Sequence, residues 1–136
     1  MSELKTSMEV SAAGLKAQSM RMRIIAENIA NQDSIASGPG DQPYQRKMVT
    51  FRNVLDRSTG VRSVEVDKVV ADKTPFNRVY APGHPSADAQ GYITAPNVNG
   101  IIEATDMREA QRTYEANLSA IEAAKSMTIR TLDLLR

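Results

Sequence analysis

The stretch from Asp106 to Leu135 constrains this chain most. At a seven-residue interval it gives Met107, Tyr114, Ile121, Thr128 and Leu135, accompanied by Gln111, Leu118, Lys125 and Leu132, with the small Ala110 and Ala124 beside them. No Pro or Gly interrupts it. A narrow apolar stripe with this period belongs to a helix that packs lengthwise on another helix. Asp106 with Glu109 has the spacing of a capping box. Oppositely charged residues three apart, such as Arg112 with Glu115 and Arg130 with Asp133, each add only ~0.2–0.5 kcal/mol. Thirty helical residues extend roughly 45 Å at 1.5 Å per residue. A stripe of that length needs a partner of similar length.

The other end of the chain supplies one. Met8, Leu15, Met22 and Ile29 recur at seven, Ile25 widens the stripe, and Ala12, Ser19 and Ala26 lie beside it. Thr6 with Glu9 repeats the capping-box spacing, and the Asn28–Asn31 stretch can end the helix with an Asn in the left-handed cap conformation. Gly14 costs about 1 kcal/mol relative to Ala inside a helix. It reads either as a tolerated surface glycine or as the mark of a close helix crossing.

Between the stripes the pattern changes. Gln32–Tyr44 holds two Gly and two Pro and reads as an exposed loop. Lys47–Val70 reads as a two-strand ribbon turning at Asp56–Gly60, with Val64, Val66 and Val70 on one face. Two strands alone are marginal in water, so the ribbon should lean on a helix or a neighbour. Pro75–Tyr80 reads as a further short strand. Tyr80–Asn99 is irregular; Pro82-Gly83 fits a type II turn, and Asn99 can cap a helix beginning near Ile101. The expected fold is thus mainly α with a small β part. Long N- and C-terminal helices pair as an antiparallel, coiled-coil-like hairpin, and an extended middle segment carries the ribbon and irregular turns. The expected segments are 1–31 and 99–136 for the helices and 32–98 for the middle. Residues expected to pack at helix or subunit seams are Met8, Leu15, Met22, Ile25, Ile29, Met107, Tyr114, Leu118, Ile121, Leu132 and Leu135.

Composition narrows the chemistry. With 17 Lys and Arg against 16 Asp and Glu, the total charge gives no strong pull toward nucleic acid or anionic membrane. There is no Cys, which excludes disulfides, zinc–thiolate sites and thiol catalysis. His84 is the only His, so no His cluster is possible; between Gly83 and Pro85 it reads as a turn residue. Gly38-Pro39-Gly40 lacks the Lys-Ser/Thr of a phosphate loop. Glu65 and Asp67 share a strand face as catalytic carboxylates can, but a solvated face accounts for them more simply. Catalytic, metal and cofactor residues are therefore expected to be absent. Lys5, Glu9, Lys16 and Arg21 break up any apolar h-region, so neither an ordinary secretory signal nor a membrane span is expected. Arg46, Lys47, Arg52, Arg57 and Arg62 make the middle locally basic. A small nucleic-acid-binding module using residues 46–62 is one reading, although only Tyr44 and Phe51 could stack on bases. A solvated or inter-subunit charged surface is the other.

Ser11-Ala-Ala-Gly-Leu15 and Ala26-Glu-Asn-Ile-Ala-Asn31 resemble the N-terminal signature of bacterial flagellar rod and hook proteins. The turn Tyr80-Ala-Pro-Gly-His-Pro85 with Pro96-Asn-Val-Asn99, then Tyr114-Glu-Ala-Asn117, is similar to the FlgC-type proximal-rod branch of that family. The motif positions are Asn28, Asn31, Pro82, Gly83, His84, Pro85, Asn97, Asn99, Glu115 and Asn117. The resemblance implies a non-catalytic structural subunit of the flagellar basal body, or else another rod or hook-basal-body component. It implies export through the flagellar type III apparatus without a cleaved signal, and a place in the periplasm-spanning rod that carries torque from motor to hook. Its partners would be other copies of itself, other rod subunits and ring or adaptor components. Terminal helices would line the tube, and the middle segment would make outer contacts.

Overall fold

The computed structural model describes residues 2–136. The element order is α1 (Ser2–Ala30), β1 (Lys47–Asp56), β2 (Val61–Ala71), β3 (Asn77–Tyr80), β4 (Tyr92–Ala95) and α2 (Gly100–Leu134). Two long helices pack on each other, and β1–β2 and β3–β4 form two separate antiparallel two-stranded sheets. The expected helical hairpin with a ribbon-bearing middle is the fold observed. The chain divides into two compact units. The first comprises α1 as far as Met22, Val49–Lys68 and Arg108–Arg136; the second comprises Arg23–Met48 and Val69–Met107.

In the first unit the helices run antiparallel, since Gly14 faces Asn117 while Arg21 reaches Glu109 at 3.7 Å. The residues excluded from solvent are small: Ser11, Gly14, Ala17, Ala110 and Ala124. The space beside Gly14 is taken by the Asn117 side chain. Gly14 is buried, and a Cβ there would lie 2.7 Å from the Asn117 amide, so it is not a surface glycine. The β1–β2 hairpin is pinned at its turn, where the Gly60 N–H donates to the Asp56 carbonyl at 2.7 Å. On the ribbon, Arg52 bonds Glu65 at 2.7 Å and lies 3.9 Å from Asp67. The two carboxylates considered for catalysis thus face a common guanidinium.

In the second unit Ile24, Ile25, Ala36, Ile93 and Val98 form the apolar core. β3 and β4 pair from Asn77↔Ala95 to Tyr80↔Tyr92, and the Ala36 N–H donates to the Thr94 carbonyl, joining the loop after α1 to this hairpin. Gly91, at φ +85°, closes the loop between these strands. A Cβ there would meet the Tyr80 ring at 2.9 Å, which excludes larger residues on two counts. Tyr80 and Tyr92 pack edge to face at 5.3 Å, with the Arg78 guanidinium 4.8 Å from the Tyr92 ring.

Helix α2 begins at Gly100, in line with the expected start near Ile101, and Asn99 is its N-cap: its Oδ1 accepts the Ile101 N–H at 3.0 Å. Several local expectations are corrected. The Asp106–Glu109 and Thr6–Glu9 pairs lie inside helices. No non-glycine residue among those described has positive φ, so α1 does not end on a left-handed Asn. Instead Asn31 Nδ2 donates to the Glu27 carbonyl at 2.9 Å, satisfying one of the helix's terminal acceptors. Gly83 is absent from the positive-φ glycines, so Pro82-Gly83 is not a type II turn, although the His84 N–H closes it on the Ala81 carbonyl. β4 carries no strand signal of its own, since its four residues lie between Gly91 and Pro96, which read together as loop.

Candidate assembly interface

The second unit is organised around a buried carboxylate. Glu103, in the first turn of α2, has no solvent exposure. Arg46, just before β1, places Nε on Glu103 Oε1, Nη1 at 3.0 Å from Asp72 Oδ2 and Nη2 at 3.6 Å from Asp106 Oδ2. One guanidinium fork thereby serves three carboxylates, and no other residue type could do this at one position. Burial alone would favour loss of the Arg46 proton, but the hydrogen bonds and charges of Glu103 and Asp72 outweigh it and hold the group more firmly protonated. Asp72 is held below the ordinary carboxylate range, chiefly by the Thr74 hydroxyl and N–H, with Arg46 contributing.

Asn28, in the last turns of α1 and 1% exposed, is the second hub. Its Oδ1 accepts from the Lys47 N–H (3.0 Å) and the Tyr44 hydroxyl (2.7 Å). Its Nδ2 donates to the Lys47 carbonyl (2.8 Å) and to Glu103 Oε2 (3.3 Å). The amide pairs with Lys47 as a neighbouring strand would, and all of its hydrogen-bonding capacity is used. Burial first, then the charges of Glu27 and Glu103, push the Tyr44 hydroxyl up to about 12. Asn97 is the third hub: its Oδ1 accepts the Arg46 N–H at 2.8 Å, and its Nδ2 bonds the Asp72 and Thr74 carbonyls, both at 2.9 Å. Together these side chains lock the loop, the ribbon base and both helices of this unit. They form a structural clasp, and among the described residues no group of His, Asp or Glu has the arrangement of a metal site.

The apolar seam positions fare differently. Ile25 is buried, while Met8, Leu15, Met22, Ile29, Met107, Tyr114 and Ile121 are half-buried. Leu118, Leu132 and Leu135 are exposed, at 40%, 48% and 76%. The most buried line on α2 is instead Glu103, Ala110 and Ala124, which with Asn117 and Thr131 also recurs at seven. The small residues line the intrachain seam and the large ones flank it. That parallel period of Glu, Ala and Asn is the sequence signal for Glu103, a weak one because it carries no large apolar residue. Arg46 was read only as part of a basic segment, yet it, Lys47 and Arg52 all sit in ion pairs, Lys47 with Glu27 at 2.6 Å.

The motif residues divide similarly. Asn28, Asn97 and Asn99 are the hubs and cap described above, Asn31 ends α1, and Asn117 faces Gly14. Pro82, Gly83, His84 and Pro85 form a turn in which His84 Nδ1 accepts the Ser86 N–H at 3.0 Å. Glu115 is exposed.

Residues 89–134 match the family described as flagellar basal body rod FlgEFG protein, C-terminal. A flagellar basal-body rod protein FlgC of Agrobacterium fabrum is 45% identical over 136 residues, 100% of this chain and 98% of that protein. This chain belongs to the FlgC family of flagellar basal-body rod proteins. The FlgC proteins of Escherichia coli O6:H1 and Bacillus subtilis are 38% and 34% identical, over 93% and 94% of this chain. The resemblance read from the end motifs and the Pro-Gly-His-Pro turn is thereby confirmed. Nothing in these FlgC relatives supports a nucleic-acid role for residues 46–62. No helix among the described residues is long and apolar enough to cross a membrane.

Proposed function

We propose that this chain is a non-catalytic structural subunit of the proximal rod, assembling through its terminal helices into the axial tube that transmits torque from motor to hook. The carrying observation is the exposed apolar surface of α2 in a chain that matches flagellar rod proteins over its whole length. Leu118, Met127, Ile129, Leu132, Leu134 and Leu135 lie outside the intrachain seam, on a helix whose own seam is made of alanines. Exposed apolar surface of this extent is what neighbouring subunits cover. On this reading residues 1–31 and 99–136 act as one assembly domain, and 32–98 makes outer contacts. Partners are other copies, other rod subunits, ring or adaptor components and the type III export apparatus, which passes the chain without a cleaved signal into the periplasm-spanning rod. The outer turns of the helices gain full order when neighbours cover them.

Deleting the gene and imaging isolated basal bodies tests this. Rings without a rod, and no swimming, are expected; a complete rod in the deletion strain overturns the reading. Circular dichroism of the purified chain tests the ordering step, since full two-helix content at micromolar concentration contradicts it.

A further inference from the structure

We propose that the groove between α1 and β2 of one subunit receives the leucine-bearing last turns of α2 from a second copy. This deepens the assembly reading above and rests on it. The groove is a cavity of about 400 Å³ whose lining includes Ala13, Ala17, Val64 and Val66 together with Lys16 and Glu65. The small alanines leave the space and the valines make it apolar, so a leucine side chain fits its chemistry. Leu132, Leu134 and Leu135 are 48%, 86% and 76% exposed. The same turns carry Asp133, opposite in sign to Lys16, while Glu65 is engaged by Arg52 of its own ribbon.

The chain's own α2 cannot fill the groove. Gly14 faces Asn117 and Arg21 faces Glu109, so α2 beyond Asn117 runs toward the start of α1. Leu134 lies seventeen residues further along, about 25 Å at 1.5 Å per residue, on the side away from Ala17. The occupant must come from another molecule. Donor and acceptor are different surfaces of the same chain, so the contact is heterologous and does not close on itself. Repetition produces an open array, as a rod requires, whereas a self-complementary patch would stop at a dimer.

The cysteine-free sequence allows a clean test in cells. After mild oxidation of isolated basal bodies, the A13C/L134C double variant should give reducible dimers and larger species. Each single variant should stay monomeric. Should A13C impair assembly, V64C with L134C reads the same contact from the strand side. Swimming cells whose double variants never cross-link overturn the groove contact and leave the rod reading intact. Single variants that cross-link as strongly as the double show a symmetric contact and also overturn it. Retention of a rod in the deletion strain would instead sink the assembly reading itself.

Discussion

The same two helices pass through both units, but they are held by different means in each. In the second unit, Glu103, Arg46, Asn28 and Asn97 form a fully bonded polar clasp over a core of Ile24, Ile25, Ile93 and Val98. In the first, the seam consists of Ser11, Gly14, Ala17, Ala110 and Ala124; Tyr114 and Ile121 are half-buried, and Leu118, Met127, Ile129, Leu132, Leu134 and Leu135 are exposed. Burying an alanine removes far less apolar area than burying an isoleucine, at ~25 cal/mol per Å². The second unit buries larger apolar side chains than the first, whose exposed apolar surface on α2 is the basis of the proposed subunit contacts.

The largest effect that would sharpen this contrast is on the clasp. Arg46→Met leaves Glu103 and its neighbouring carboxylates without their cation, and breaking a buried pair costs about 3–5 kcal/mol. Urea unfolding followed by circular dichroism should show this; a loss under about 1 kcal/mol would remove the clasp from its central place. Asn28→Ala strands the Lys47 backbone groups and the Tyr44 hydroxyl, with an expected cost of about 2–3 kcal/mol by the same assay.

Next comes the crossing. Gly14→Val drives a branched side chain into Asn117 and should cost about 1–3 kcal/mol. Gly14→Ala gains up to about 1 kcal/mol of helix propensity, which offsets the displacement of the flexible Asn117 amide, so its thermal midpoint should barely move. A large loss from alanine would mean that the Asn117 side chain has nowhere to go.

The pH response should be smaller. Asp72 titrates lower in the folded chain than in the unfolded one, so its contribution is present above the ordinary carboxylate range near 4 and lost as pH falls through its depressed value. Tyr44 is raised, so its contribution is present below about 10 and lost as pH rises through about 12. Thermal midpoints should fall at both extremes, and Asp72→Asn should flatten the acid arm only. The smallest change in the free chain belongs to Leu118→Asp and Leu132→Asp, expected within about 0.5 kcal/mol of the parent because both sites are exposed. Either should nevertheless abolish swimming. Normal motility would show that these leucines are ordinary surface residues.

Sequence periodicity was sufficient for the two long helices, and alternation with turn residues for the β1–β2 ribbon, because those signals are local and repeat many times. Asn99 was legible as a cap for the same reason. The family was legible in short motifs at both ends and in the Pro-Gly-His-Pro turn. What the sequence could not rank was which of several parallel seven-residue lines on α2 would lie inward. Large side chains favour the line through Tyr114 and Leu118, yet close packing across Gly14 requires the alanine line. Only the partner surface makes that choice. The clasp was likewise beyond the sequence, since Asn28, Arg46, Asp72 and Glu103 are ordinary polar residues until the fold brings them together and excludes water. Local pattern thus determined the elements, and tertiary packing decided which of their faces meet within the chain.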